Sequence, residues 1–187
     1  MSEEPRIALD APPFAPLRDL LARLDHSGLR YALGASGLLA ALGLVTKVND
    51  WDVQVDASID ELERACAGLG SARFGNDRMH ADHKLSFDAE RVELIAEFAF
   101  FPPGSGLVRI PFAVCGSWQG VPLASPTAWA AAYALMGELE DSPRRRERAH
   151  LLFEWLRGRE PERDVIDALL AQPVPEDLAA RLRALSS

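Results

Sequence analysis

The sequence predicts an α/β (α+β) fold in which a short mixed sheet is flanked by helices and followed by a C-terminal helical tail. Up to residue 124, short apolar runs separated by turn residues alternate with segments of helical spacing. From Ser125 onward, helical spacing dominates. The chain has 187 residues, of which 48% are hydrophobic, enough for the core of one domain with a helical appendage. We therefore expect a lead-in at 1–13, an α/β domain at 14–124, and a helical region at 125–187 that packs on it.

The first half of the chain is predicted to alternate between helices and strands. Its expected elements are a helix from Phe14 to about Gly28, a strand at 30–33, a helix at 36–43, a strand at 51–55 and a helix from Ser58 to about Gly68. Ser36 is the expected N-cap of the second helix. Ser58 and Glu61 have the spacing of a capping box. The strand at 51–55 should have one apolar and one polar face.

The second half is predicted to be rich in strands and then entirely helical. Its expected strands are at 72–74, 84–87, 91–101, 108–114 and near Val121. A helix is then expected to begin at Ser125-Pro126, and three more are expected at 144–156, 162–171 and 176–185. The strands at 84–87 and 91–101 should form a hairpin, with Glu93 and Glu97 on one face of the second strand. A turn is expected near Gly116, and a link at 137–143.

The net charge is -8, which argues against a general nucleic-acid binder or a protein of anionic membrane surfaces, because both need clustered positive charge. The acidic start is not typical of a signal peptide, and no apolar run is long enough to span a bilayer. Cys66 and Cys115 lie far apart and are expected to be buried thiols in a reducing compartment. We expect a cytoplasmic protein.

The stretch from Leu29 to Asp56 contains the strongest functional pattern. Small residues at Gly34-Ala35-Ser36-Gly37 precede a helix, and such a turn lets the backbone approach a phosphate. Asp50 and Asp52 follow, two positions apart on a predicted strand, so their side chains share a face. Two carboxylates held together repel each other unless they are solvated, paired or bound to a cation, and Mg²⁺ prefers such oxygen ligands.

These residues resemble the nucleotidyltransferase superfamily, which has the DNA polymerase beta-like fold, and look closest to its minimal or antibiotic-type members. The resemblance rests on three segments: Leu33-Gly34-Ala35-Ser36, Asp50-Trp51-Asp52-Val53, and Arg91-Val92-Glu93-Leu94-Ile95. Ala35 stands where the family usually has Gly or Ser.

The resemblance implies a metal-dependent transfer of a nucleotide from a nucleoside triphosphate, such as ATP, to a hydroxyl of a small-molecule acceptor. Asp50, Asp52 and Glu93 would hold Mg²⁺ or Mn²⁺, and Glu93 would complete that metal site or act as the base. The triphosphate would be held by Gly34 and Ser36, with Lys47 as a further phosphate contact. Glu97 is the alternative third acid.

Other interpretations stay open. The chain could be a catalytically silent member of the fold that binds a nucleotide or a partner, or an antitoxin-type regulator, and a homodimer is compatible with the sequence. The arginines at 144–146 and 148 are expected on a solvated face, paired with Glu138, Glu140 and Asp141, and the alternative is that they hold a triphosphate or an acidic partner. The residues from His80 to His83 are expected to form a polar loop rather than a metal site, because further ligands are not evident.

Overall fold

The computed structural model describes residues 9–75 and 83–186. The predicted polar loop, including His80 and Asp82, lies largely outside these residues. In chain order the elements are α1 Phe14–His26, β1 Arg30–Leu33, α2 Ala35–Ala41, β2 Trp51–Asp56, α3 Ile59–Ala65, β3 Ala72–Phe74, β4 His83–Phe87, β5 Val92–Ala96, β6 Ala99–Phe100, β7 Val108–Arg109, β8 Val114–Trp118, β9 Val121–Ala124, α4 Pro126–Leu139, α5 Pro143–Leu156, α6 Arg163–Leu170 and α7 Glu176–Ala184. The predicted α/β fold with a C-terminal helical region is confirmed.

The central sheet is mixed and has seven strands in the order β3-β4-β5-β2-β1-β9-β8 among the described residues. Strand β2 lies between β1, to which it is antiparallel, and β5, to which it is parallel. In the β2–β5 register, Asp52 is opposite Glu93. The fold therefore brings two predicted site residues, 41 positions apart in the sequence, to adjacent strands.

Helix α4 packs its aromatic side chains on the turn between β1 and α2. Ser125 caps this helix by accepting a hydrogen bond from the Ala128 N–H, and Pro126 occupies its first turn, as predicted. The Trp129 ring lies so close to Gly34 that a Cβ atom added at Gly34 would be 2.1 Å from it. The tight approach holds α4 against the strand that precedes the turn, so the helical region lies beside the predicted site.

Two of the predicted strands are wrong in length because the chain changes sheets. Strand β5 ends at Ala96, since Glu97 has a φ of +53°, and the next strand pairs with β7 in a separate two-stranded sheet. Glu97 is therefore not on the strand that carries Glu93. The predicted strand at 108–114 is likewise two short strands, β7 and the start of β8.

The predicted turn near Gly116 is also wrong. That residue lies at a bulge within β8, and the turn is at Gln119 and Gly120, which have φ values of +51° and +81°. The helix expected at 36–43 is α2, and it is capped by Gly34 rather than by Ser36. The link expected at 137–143 is shorter, because α4 continues to Leu139.

Of the predictions for single residues, some are confirmed and others are wrong. The capping box of Ser58 and Glu61 is confirmed. Gln54 lies on the face of β2 that is expected to be polar, but it is buried, with a relative exposure of 3%. Both cysteines are free, and only Cys66 is buried. None of the described helices is both long and apolar enough to cross a membrane.

Candidate active site

Three predicted acidic residues line one cavity of about 440 Å³ at the ends of the central strands. Asp50 lies just before β2, Asp52 is its second residue, and Glu93 is opposite Asp52 on β5. Alternation along β2 and its parallel register with β5 put these side chains on the same face of the sheet. The structure thus brings Asp50, Asp52 and Glu93 together.

Negative charge in this cavity is only partly compensated. Burial, together with the charges of Asp50 and Glu93, raises the pKa of Asp52 to about 7, whereas Lys84 and Arg145 act in the opposite direction. Lys84 Nζ lies 3.5 Å from Glu93 Oε2. Ionising Asp52 near neutral pH is therefore unfavourable unless another positive charge enters the cavity.

The chemistry of these acids fits a hard divalent cation. Carboxylate oxygens are the ligands that Mg²⁺ and Mn²⁺ prefer, and a cation would relieve the repulsion that raises the pKa of Asp52. Within residues 9–75 and 83–186, however, no three His, Cys, Asp or Glu side chains lie close enough to one another to form a preassembled metal site.

Arginines of α5 line the same cavity. Arg144, Arg145 and Arg148 all contribute to it, and Arg144 is exposed, as expected for a solvated face. Their spacing of i, i+1 and i+4 places them on one side of a helix, but spacing alone does not show which way that side faces. Arg146 lies elsewhere and pairs with Asp141 at 3.0 Å, as predicted.

Residues of α4 and of the link after it hold two of these arginines in place. Arg148 Nη1 donates to the Tyr133 hydroxyl at 3.0 Å. Arg145 Nε lies 2.5 Å from Glu140 Oε2, which confirms that predicted pairing. Arg144 has no hydrogen bond or ion pair with any described residue, so its charge is available to an anion. The cavity therefore offers fixed cations and a group of carboxylates.

The three predicted phosphate-binding residues, Gly34, Ser36 and Lys47, do not line this cavity. The Gly34 N–H donates to the Asp52 carbonyl at 2.9 Å, and the Trp129 ring covers its Cα. Ser36 is buried, and its hydroxyl donates to the Asp50 carbonyl at 3.4 Å. Lys47 is exposed and lies 3.7 Å from Asp10. Gly34 and Ser36 therefore support the acid-bearing strand, whereas Lys47 belongs to another surface.

Comparison with solved structures identifies the architecture. The antibiotic-resistance factor ANT(2'')-Ia, determined in solution, matches with a TM-score of 0.57 and 21% identity over 91% of this chain and 90% of its own. A Thermotoga maritima protein assigned as a nucleotidyltransferase matches with a TM-score of 0.55 and 20% identity over 78% and 93%. The crystal structure of ANT(2'')-Ia with adenylyl-2''-tobramycin gives 0.55 and 19% over 92% and 98%.

This chain has the nucleotidyltransferase fold. No protein-family model matches the sequence, and no curated protein matches it either. The predicted relationship to this fold is confirmed by shape rather than by sequence identity.

Within the nucleotidyltransferase fold, Ala35 is the unusual residue of the turn. It has a φ of +43°, a conformation that costs a residue with a side chain about 1–2 kcal/mol. Gly adopts this conformation without that cost. Ala35 also lines the main cavity, so the strained backbone lies next to the carboxylates.

Glu97, the alternative third acid, lies in a different cavity of about 390 Å³. Its backbone has left β5, and its Oε2 accepts from the Ile59 N–H at 3.4 Å. The geometry therefore groups Glu93, not Glu97, with Asp50 and Asp52 in the nucleotidyltransferase fold.

Proposed function

We propose that this chain catalyses the metal-dependent transfer of a nucleoside monophosphate from a nucleoside triphosphate to a hydroxyl of a small-molecule acceptor. The observation that carries the proposal is the cavity in which Asp50, Asp52 and Glu93 occur together with arginines of α5. Carboxylates suit a divalent cation, and arginines suit phosphate oxygens. A protein of the same fold has been solved with adenylyl-2''-tobramycin, which supports an adenylyl group and a small-molecule acceptor.

In this proposal each set of side chains has its own task. Asp50 and Asp52, with Glu93, would hold Mg²⁺ or Mn²⁺, which would neutralise charge on the phosphates. Lys84 and the arginines that line the cavity, Arg144, Arg145 and Arg148, bind the triphosphate and orient its α-phosphorus. The acceptor oxygen forms a bond to that phosphorus, the bond to the β-phosphate oxygen breaks, and pyrophosphate leaves. Glu93 accepts the proton of the hydroxyl group.

The test is thermal unfolding of the protein with ATP, with and without Mg²⁺. A ligand at 100 times its Kd stabilises a protein by about 2.7 kcal/mol, which for a chain of this size raises Tm by about 5–10 °C. We expect this shift in the wild type with Mg²⁺ and its loss in Asp50→Asn. Asp19→Asn neutralises an exposed carboxyl on α1 and should leave the shift unchanged. Equal shifts in wild type and Asp50→Asn would overturn the proposal.

A second candidate is nucleotide binding without transfer. The observation that favours it is the closed turn: Trp129 covers Gly34, and Ser36 is buried, so this turn is not open to a phosphate. The two functions separate in an assay of pyrophosphate release from ATP with a panel of alcohol acceptors. Release that is lost in Glu93→Gln supports transfer, whereas Mg²⁺-dependent binding without release supports the second candidate. Glu90→Gln, in the turn before β5, is the matched control.

A further inference from the structure

The second cavity, of about 390 Å³, continues the main cavity along strand β2. Gln54 lines it and lies two residues beyond Asp52 on the same strand face, so their Cα atoms are about 7 Å apart. Phe98 lines both cavities. A molecule bound at the carboxylates is therefore within reach of the second cavity, to which the proposed function assigns no role.

Gln54 presents a hydrogen-bond acceptor that the described protein does not satisfy. Its Nε2 donates to the Ile110 carbonyl at 3.3 Å, and this fixes the orientation of the amide because a carbonyl can only accept. The Oε1 atom is buried and has no partner among the described residues. Leaving such a group unsatisfied costs about 1–3 kcal/mol, which a donor on a ligand would recover.

Glu97 adds a second acceptor to the same cavity at the expense of backbone strain. Its φ of +53° costs a non-glycine residue about 1–2 kcal/mol. Its carboxylate lies 3.8 Å from His83 Nε2 and lines the cavity with Gln54. Strained residues that persist beside a cavity are a reason to examine that cavity for function.

The other charged residues of the cavity leave Gln54 and Glu97 available to an N–H donor. Asp56 is already paired with Arg30, at 3.1 Å. Arg109 contributes one positive charge, which offsets the negative charge of Glu97. Gln54 Oε1 and the Glu97 carboxylate are thus the acceptors that a bound N–H group can use.

We propose that this cavity is a subsite for an amino group of the ligand whose reacting part lies at Asp50, Asp52 and Glu93. The amino group donates hydrogen bonds to Gln54 Oε1 and to the Glu97 carboxylate. It belongs either to the nucleobase of the triphosphate, where it is neutral, or to the acceptor, where an aliphatic amine is protonated, and both sources supply N–H donors. The placement of the ligand rests on the proposed function.

The first arm of the test compares triphosphates that differ in one exocyclic group. ATP and CTP carry an amine where ITP and UTP carry an oxygen. If the base supplies the amino group, the wild type should bind the amine-bearing member of each pair about 10-fold more tightly in calorimetric titrations with Mg²⁺. Gln54→Leu and Glu97→Gln should each reduce that ratio towards one without weakening ITP or UTP.

The second arm uses two small molecules, 1,3-diamino-2-propanol and glycerol, observed by ligand NMR with the protein alone. The amines are protonated at neutral pH and the chain has a net charge of -8, so the titration is run in enough salt to screen non-specific attraction. If the acceptor supplies the amino group, the diamine should bind, glycerol should not, and the triphosphate pairs should show no difference. Gln54→Leu and Glu97→Gln should abolish the diamine signal.

A glycine substitution separates ligand binding from folding. Glu97→Gly relieves the positive φ but also removes the hydrogen bond from the Ile59 N–H, so stability should stay within about 1 kcal/mol of the wild type while the preference for the amine is lost. Gln119→Gly is the matched control, since Gln119 has a φ of +51° in the β8–β9 turn, and it should leave ligand binding unchanged.

The outcomes distinguish the subsite from the proposed function. If the wild type shows no amine preference in either arm, the subsite is refuted, even when triphosphates bind. The same conclusion follows if Gln54→Leu and Glu97→Gln both retain the preference. If triphosphates fail to bind the wild type at all, the proposed function fails, and the diamine titration still decides the subsite.

Discussion

The Asp52 carboxyl should oppose folding of the metal-free protein, so Asp52→Asn should be more stable than the wild type. Burial and the charges of Asp50 and Glu93 raise the pKa of Asp52 from 3.8 to about 7. A pKa shift of that size lowers the free energy of unfolding by about 4 kcal/mol at neutral pH. Because Asp52 keeps part of its surface in solvent, which screens its charge, we expect a gain of about 2 kcal/mol in the free energy of unfolding.

The pH dependence of this gain has a defined sign. Between pH 4 and 7 the unfolded chain has lost the Asp52 proton while the folded chain retains it, so wild-type stability falls as the pH rises through this window. Above pH 7 the penalty is constant. The difference between Asp52→Asn and the wild type should therefore be small at pH 4 and reach its full value by pH 8.

The assay is urea unfolding in EDTA, followed by tryptophan fluorescence, at several pH values from 4 to 8. Asp19→Asn, which neutralises an exposed carboxyl, should show no such difference. Adding Mg²⁺ should then stabilise the wild type and leave Asp52→Asn unchanged. The reasoning is refuted if Asp52→Asn is less stable than the wild type at pH 8 in EDTA, or if the difference between them does not depend on pH.

Three further substitutions test the packing and the charges around the cavity. Gly34→Ala places a Cβ within 2.1 Å of the Trp129 ring, so urea unfolding should show a loss of about 1–3 kcal/mol, and an unchanged stability would contradict the described contact. Ala35→Gly removes a positive-φ strain and should stabilise the chain by about 0.5–1 kcal/mol in the same assay, whereas destabilisation would mean that the turn is not strained. Arg144→Gln should weaken ATP binding about 10- to 150-fold in calorimetry, since a charged hydrogen bond contributes about 1.5–3 kcal/mol, while Arg146→Gln on the same helix should not. Equal effects would remove Arg144 from the site.

The grouping of the acids could be predicted because it depends on local rules. Asp50 and Asp52 are two residues apart on a strand, so alternation alone puts them on one face. Their approach to Glu93 followed from the resemblance to the fold, and the parallel register of β2 and β5 provides it. Alternation could not decide between Glu93 and Glu97, because it assumes that both lie on one strand. Strand β5 instead ends before Glu97, whose positive φ cannot be predicted from the sequence.

The basic side of the cavity could not be predicted because it depends on how the helices pack. The arginines of α5 face the cavity only because α5 packs against α4, whose Trp129 packs in turn on Gly34. Sequence spacing shows that Arg144 and Arg148 share a helix face but not which way that face points. The same contact explains why Gly34 is needed, because a larger residue at this position would collide with the Trp129 indole ring.

The central claim is that the acids and the arginines form one site for a metal ion and a triphosphate. The measurement that tests it most directly is calorimetric titration of ATP with and without Mg²⁺ into the wild type, Asp50→Asn and Arg144→Gln. We expect Mg²⁺ to strengthen ATP binding to the wild type. Asp50→Asn should lose this dependence on the metal, and Arg144→Gln should retain it at lower affinity. ATP binding that is absent from the wild type, or that is equally strong without Mg²⁺, would contradict the account.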